Sequence, residues 1–414
     1  MYKLLALLAV LTLAPGLLPV LAQMPAAGSL PDLKSAETLA NNLFQESGTT
    51  GMVFLVVRGD QAFFRGYGQT APNSGQVPTQ DSVIRLCSLT KIFTTDLLTK
   101  LVLDKTVRLD DPLQRYAPPH FVVPVREAAI TLEDLATHTS GLPREIRTVP
   151  RGAPHFTYPD RAARWAWLRG QRLDSVPGTE AAYSNLAFDF LGDALENAGH
   201  KPYAALLAER TLNPLNMRQT TFYPNAVQCG RLLQGVHDQG PCTVTDETEG
   251  SSGLYSTSGD MAVWLKYLVG ASPPPIPAQD PAAQAVYVSP ANLKSEKGLD
   301  HVGQPSGIGL GWLHLLPVGD PQHVVQKTGG GAGFSTYIAL NPARHTAVFF
   351  AATDGATGWK ANLFEEADNI LMAMAGLPPM PPDPVKIAPK HSAKIAPKHR
   401  AKIEPRHRPK RPAH

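Results

Sequence analysis

The sequence predicts an α+β fold: an antiparallel sheet built from both ends of the chain and flanked by terminal helices, with an all-helical lobe inserted between its halves. Three observations carry this. β-Strand patterns occupy 51–58 and 61–67 near the start and return at 323–328, 335–340 and 346–353 near the end. Between them, residues 104–311 show helical periodicity interrupted by loops. The 414 residues, 43% hydrophobic and 18% charged, are enough for one large core or two lobes sharing an interface. The folded domain is expected over 23–377, with a sheet lobe from about 30–85 and 310–377 and a helical lobe over about 86–310.

Taken in order, Ser29 to Gln45 reads as a helix with Leu33, Leu39 and Leu43 among its apolar positions. Gly51 to Arg58 is rich in Val, Phe and Leu; Gly59-Asp60 makes the turn and Gln61 to Tyr67 returns, a β-hairpin. A buried helix begins near Cys87. Leu109 to Leu113 turns into a short helix, and Thr131 caps another that stops by Ser140-Gly141-Leu142-Pro143. Asn185 to Ala198 repeats Leu186, Phe190, Leu191 and Leu195 before Gly199, and Thr257 to Asp260 caps Met261 to Leu268. Pro273 to Pro277 is a surface loop, and Trp359 to Ala375 a final helix.

Chemistry centres on Leu86-Cys87-Ser88-Leu89-Thr90-Lys91. Ser88 and Lys91, three residues apart on a helix, share one face. An amine whose pKa is depressed by burial or a neighbouring cation can take the hydroxyl proton and make Ser88 a nucleophile. By itself the pattern arises roughly once or twice by chance in a chain this long. Two further triplets follow: Tyr183-Ser184-Asn185 and Lys327-Thr328-Gly329, the latter continued by Gly330. Three such motifs in this order are a far stronger signal than any one.

The order Ser-x-x-Lys, Tyr-x-Asn, Lys-Thr-Gly resembles the penicillin-recognising serine enzymes, in the version found in class C β-lactamases and their DD-peptidase relatives. Ala136 to Glu145, Ala181 to Asp189 and Gln326 to Phe334 look like the AmpH-type D-alanyl-D-alanine carboxypeptidase/endopeptidases, and the likeness runs over about 35–375. The resemblance implies a β-lactamase/DD-peptidase-like fold with its site between two lobes, and a hydrolase acting on peptidoglycan peptides and binding β-lactams. It implies Ser88 as acyl acceptor, the backbone N–H groups of Ser88 and Gly330 as oxyanion donors, and Asn185, Lys327, Thr328 and Gly329 as substrate-binding. Lys91 and Tyr183 are both candidate bases, and one coupled unit is a third reading. His138 is expected to support structure rather than catalyse. Arg144 and Glu145 fall near the cleft rim, and Trp165 and Trp167 in core or cleft wall. A β-lactamase, a serine esterase and a non-catalytic peptidoglycan-binding protein remain as alternative functions.

No His, Cys and Asp cluster has metal-ligand spacing, so no cofactor is implied. No G-x-S-x-G elbow is present, against an α/β-hydrolase. Residues 1–22 read as an export signal, with Lys3, an apolar run from Leu4 to Leu13 and a Val20-Leu21-Ala22 cleavage site; an uncleaved anchor is the alternative. Export points to the periplasm and makes Cys229 and Cys242, which bracket the loop Gly235 to Pro241, candidates for a disulfide. Cys87 is expected to be a free, buried apolar residue.

The formal net charge of +3 averages two unlike regions. Residues 386–414 carry ten Lys and Arg against one Glu, leaving 28 basic and 34 acidic side chains on the rest. From Lys386 an eight-residue unit repeats three times with a Pro in each, at Pro389, Pro397 and Pro405. Such a segment, over about 378–414, cannot build a core and is expected to be disordered. It is either a functionless extension or a tether to anionic envelope polymers or lipid head groups, peripheral to the inner membrane; nucleic acid is not a physiological partner of an exported protein.

Overall fold

The computed structural model describes residues 30–237, 239–276, 278–299, 303–356 and 363–381. The expected signal at 1–22, the repeats from residue 386 on, Pro277 and the Trp359 start of the last helix lie outside the described residues. The strands are β1 (Gly51–Arg58), β2 (Gln61–Gly68), β3 (Val83–Arg85), β4 (Ala181–Ala182), β5 (Tyr255–Thr257) and β6 (Glu296–Lys297). They continue with β7 (Pro305–Ile308), β8 (Leu313–Leu315), β9 (Val324–Gly331), β10 (Phe334–Asn341) and β11 (Thr346–Thr353). The helices are α1 (Ala36–Ser47), α2 (Thr90–Leu103), α3 (Leu132–Ala136), α4 (Arg161–Leu168), α5 (Asn185–Gly199), α6 (Tyr203–Leu207), α7 (Ala226–Cys229), α8 (Ser258–Leu268) and α9 (Leu363–Met374).

Seven strands form one antiparallel sheet in the order β2-β1-β11-β10-β9-β8-β7. The two ends of the chain therefore meet in its middle, where β1 pairs with β11 from Gly51 opposite Thr353 to Arg58 opposite Thr346. The sheet resumes at Pro305, ahead of position 310, through the short edge strand β7. Pro at the first residue of an edge strand removes no ladder donor the sheet needs. The inserted region is mainly helical and also holds two small two-stranded pieces, β3 with β5 and β4 with β6.

Both faces of the sheet are covered, which explains why β1 is apolar throughout rather than alternating. Met52, Phe54 and Val56 pack with Ala40 and Leu43 of α1 and Ile370 and Leu371 of α9. Val53, Leu55 and Val57 enter the larger core shared with α2 and α8. There Phe93 stacks on Trp264 with ring centroids 4.1 Å apart. Each fully buried Leu, Ile or Phe of this kind adds about 1.5–3 kcal/mol over exposure. Ile92, Phe93, Leu97, Leu98 and Leu101 of α2 are all buried, so the helix can hold a buried polar residue in its first turn.

Cys229 and Cys242 are joined in a disulfide, with Cα atoms 5.7 Å apart. Cys87 is free and buried, and burial pushes its thiol up to about 12. A thiol held neutral this firmly is no nucleophile. Cys87 lies in the left-handed backbone region, with φ at 52°, immediately before Ser88. That conformation costs a non-glycine residue about 1–3 kcal/mol and sharpens the entry to the Ser88 turn.

Candidate active site

Ser88 lies on the single 3-10 turn Cys87–Leu89 that leads into α2. Three hydrogen bonds from two segments clamp this turn. Leu86 donates its N–H to the Leu254 carbonyl (2.9 Å), Thr336 Oγ1 of β10 donates to the Leu86 carbonyl (3.0 Å), and Leu254 N donates to Thr90 Oγ1 (3.3 Å). Strand β9 crosses directly above at Gly329. A Cβ there would lie 2.3 Å from Thr336 Oγ1 and 3.1 Å from Ser88 N, so only glycine permits the approach. The β9–β10 connection is a two-residue turn, Ala332-Gly333, both with positive φ, the geometry a tight hairpin requires.

The second motif is set at the start of α5. Ser184 is its N-cap, accepting from Ala187 N at 2.9 Å while its hydroxyl donates to the Pro143 carbonyl at 2.6 Å. Ser184 N–H also donates to His138 Nδ1 (3.1 Å), which fixes Nδ1 as the acceptor nitrogen. Burial, reinforced by Lys91, Lys327 and Arg144, holds the His138 imidazole well below its ordinary value and therefore neutral. Its ring packs 4.5 Å from that of Tyr183. His138 supports the Tyr183-Ser184-Asn185 turn.

These elements bring five of the side chains expected from the sequence together. Tyr183 OH donates to Ser88 Oγ at 2.7 Å, and Lys91 Nζ lies 3.4 Å from Ser88 Oγ. Lys91 Nζ also donates to Asn185 Oδ1 (2.6 Å) and to the Ser251 carbonyl (2.8 Å). Lys327 Nζ sits 5.2 Å from the centre of the Tyr183 ring and donates to the Thr328 carbonyl at 2.7 Å. Lys91 is fully buried at 0% exposure. Burial first, then the Lys327 charge, hold its amine well below 10.5, while Asp189 and Glu145 push it up and Arg144 down.

A cavity of about 1000 Å³ opens over Ser88, lined also by Asn185, Thr328, Gly329, Gly330 and Ser335. Lys91, Tyr183 and Lys327 are buried beside Ser88 rather than lining it. The cavity thus presents Thr328 and Ser335 hydroxyls to a ligand, with the Lys327 charge behind them. Asn185 also differs from expectation: its Nδ2, expected to serve a substrate carbonyl, already donates one hydrogen to Glu145 Oε1. Nδ2 carries a second hydrogen besides.

Sequence reasoning passed over two participants. Asp189 stands one helical turn after Asn185, on the same face, and accepts from Ser251 N at 3.1 Å. Its burial pushes the carboxyl up to about 7. The i, i+4 spacing from Asn185 was the available signal. The Ser251 carbonyl had none, since a backbone acceptor has no residue signature. Among the described residues no group of three or more His, Cys, Asp or Glu is placed to hold a metal ion.

The arrangement can activate a hydroxyl. A neutral amine has two N–H bonds, and Asn185 Oδ1 and the Ser251 carbonyl take both. The lone pair is left for Ser88, whose oxygen already accepts from Tyr183.

A family model described as beta-lactamase matches residues 36–367. The D-alanyl-D-alanine-carboxypeptidase/endopeptidase AmpH of Escherichia coli K12 is 40% identical over 345 residues, covering 82% of this chain and 89% of that protein. A crystal structure of a beta-lactamase/D-alanine carboxypeptidase from Yersinia pestis, complexed with citrate, superposes with a TM-score of 0.77 at 40% identity, covering 82% and 97% of the two chains. A class C beta-lactamase from Rhodobacter sphaeroides shares the fold, with a TM-score of 0.62 at 23% identity over 82% and 98%.

Replacing Lys91 by Met keeps an unbranched side chain and removes the basic nitrogen. Covalent labelling by a fluorescent penicillin should slow by about 10²–10⁴-fold, the usual contribution of a positioned base. A loss under roughly threefold in a variant that melts cooperatively would remove Lys91 from that role.

Proposed function

The chain belongs to the beta-lactamase family, and on that premise we propose that it is a serine DD-carboxypeptidase and DD-endopeptidase cleaving D-alanyl peptide bonds of peptidoglycan. The observation that carries this reading is the hydrogen-bonded set Ser88, Lys91 and Tyr183 at the floor of a cleft large enough for a peptide. The likeness to AmpH over most of both chains favours the peptidase over other members of the family.

In the proposed reaction Ser88 Oγ attacks the D-alanyl carbonyl carbon while its proton passes to Lys91 Nζ. Tyr183 donates to Ser88 Oγ in the resting site, and a neutral Lys91 amine 3.4 Å away can turn its lone pair to the Ser88 hydrogen. Charge gathers on the carbonyl oxygen, where the N–H groups of Ser88 and Gly330 are the donors. As the tetrahedral centre collapses, the C–N bond breaks and the leaving amine takes a proton relayed from Lys91 through Tyr183. Water then attacks the Ser88 ester and regenerates the hydroxyl. Asn185 gives its second amide hydrogen to the acyl-side carbonyl, and Thr328 with the Lys327 field receives the terminal carboxylate.

The proposed setting is the periplasm, reached through residues 1–22. The Cys229–Cys242 disulfide supports an oxidising compartment. Among the described residues no helix is long and apolar enough to cross a membrane. The basic repeats beyond residue 385 are proposed to tether the enzyme to anionic envelope polymers or lipid head groups.

Incubation with a pentapeptide muropeptide, a cross-linked dimer and a cephalosporin, read by mass spectrometry, tests the activity. The expected result is release of D-alanine, scission of the dimer and a β-lactam adduct on Ser88, all lost in Ser88→Ala. Turnover of cephalosporin with intact peptides would instead favour the β-lactamase. Hydrolysis of a neutral ester alone would favour an esterase, and no turnover of any substrate a binding protein.

Deleting residues 382–414 should leave turnover of soluble peptides unchanged and lower retention on isolated sacculi or anionic vesicles. Retention of the full chain should weaken steeply between low salt and about 0.15 M, where charges are screened beyond about 8 Å. It should strengthen as pH falls through roughly 6.5, where the four tail histidines gain charge. Equal retention of both proteins at low salt would make the tail a functionless extension.

A further inference from the structure

Glu145 has no part in the reaction as described, yet it is tied to the reacting groups by an unbroken chain of hydrogen bonds. Asn185 Nδ2 donates to Glu145 Oε1, Lys91 Nζ donates to Asn185 Oδ1 at 2.6 Å, and Lys91 Nζ lies 3.4 Å from Ser88 Oγ. The backbone registers the same two segments: Asn185 N donates to the Arg144 carbonyl at 3.0 Å, at the first residue of α5. The Glu145 carboxylate is therefore placed before any substrate arrives.

The two ends of an Asn amide have nearly the same shape and opposite hydrogen-bonding character, so their orientation is decided by neighbours. An ionised carboxylate only accepts. Facing Glu145, it draws the NH₂ end and turns Oδ1 to Lys91. In the opposite orientation the NH₂ end would donate into the lone pair of a neutral Lys91, the same lone pair Ser88 needs. A protonated Lys91 would meet donor against donor. In the first case Ser88 would lose its proton acceptor, and in the second the Asn185–Lys91 hydrogen bond would become a repulsive contact.

We propose that Glu145 is a positioning residue: its carboxylate locks the Asn185 amide in the orientation that frees the Lys91 lone pair for Ser88. The inference rests on the acyl-enzyme reading above. Glu145 acts also by charge. The groups around Lys91 are Lys327 on β9, Asp189 on α5, Arg144 and Glu145 after α3, and His138 and Tyr183 beside it. Of these, Lys327 and Arg144 lower the Lys91 amine, and Asp189 and Glu145 raise it. Removing the Glu145 charge must lower it further and extend the neutral form to lower pH.

The test is the pH dependence of Ser88 labelling by a fluorescent penicillin in the wild type, Glu145→Gln and Glu145→Asp. Gln has the same length but can offer either end to Asn185, so the lock is lost together with the charge. The expected result is a plateau rate roughly tenfold lower, as for loss of a hydrogen bond to a charged group. The acid limb should move to lower pH. Glu145→Asp keeps the charge and the acceptor-only chemistry, so its limb should stay at the wild-type position, and it guards against a Gln variant that does not fold. A Gln variant matching the wild type in plateau and limb would overturn the proposal. So would a lowered plateau with an unmoved limb, which marks a merely structural residue. A wild type that takes no label at Ser88 would instead overturn the acyl-enzyme reading on which this one stands.

Discussion

The site depends on one buried amine. Lys91 is fully enclosed, and transfer of an ammonium from water into such surroundings is unfavourable by several kcal/mol unless its charge is matched. The protein does not match it fully. It brings the cations Lys327 and Arg144 into the same field, and around the amine it sets Asn185 Oδ1, the Ser251 carbonyl and, more distant, Ser88 Oγ. The consequence is an amine that holds its proton more weakly than a free lysine, at the expense of stability that the surrounding core must provide. Because the folded state depresses this amine, unfolding takes up a proton between its folded value and 10.5, so its burden on stability grows as pH falls through that window.

The rest of the fold can be read as the means of holding that amine still. Phe93 and its apolar neighbours fix α2 against the sheet and α8, which sets the direction of the Lys91 side chain. Two segments, at Leu254 and at Thr336 of β10, make three hydrogen bonds to Leu86 and Thr90, so the Ser88 turn is held away from an ordinary helix start. Strand β9 reaches the same turn only because Gly329 lacks a Cβ, and it carries Lys327 and Gly330 on either side of that contact. The disulfide-closed segment is anchored to the strand before Ser88: the buried Arg85 donates to the Gly240 and Pro241 carbonyls and to Tyr255 OH at 2.8 Å.

Much of this was legible in the residues. The hairpin of β1 and β2 follows from Gly59-Asp60 between two runs of β-formers, and α5 from the Leu and Phe period that ends at Gly199. Ser88, Lys91, Tyr183 and Asn185 do converge, because each belongs to a short motif whose spacing fixes its local geometry. What was not legible depends on contacts distant in sequence. Strands β7 and β8 are three or four residues long and contain Pro305 and Gly307, so their pairing rather than their composition makes them strands. The β3–β5 pair is likewise too short to show a period. Glu145 could be placed near the cleft, yet its hold on Asn185 appears only when α5 and the segment after α3 are brought side by side.

Burial and the Lys327 charge hold the Lys91 amine well below the ordinary lysine value. ¹⁵N-detected NMR of lysine-labelled protein, titrated with pH and assigned by comparison with Lys91→Met, measures this directly. One lysine Nζ resonance should titrate well below 10.5 and disappear in the variant. A Lys91 resonance that titrates with the surface lysines, at about 10.4, would contradict it.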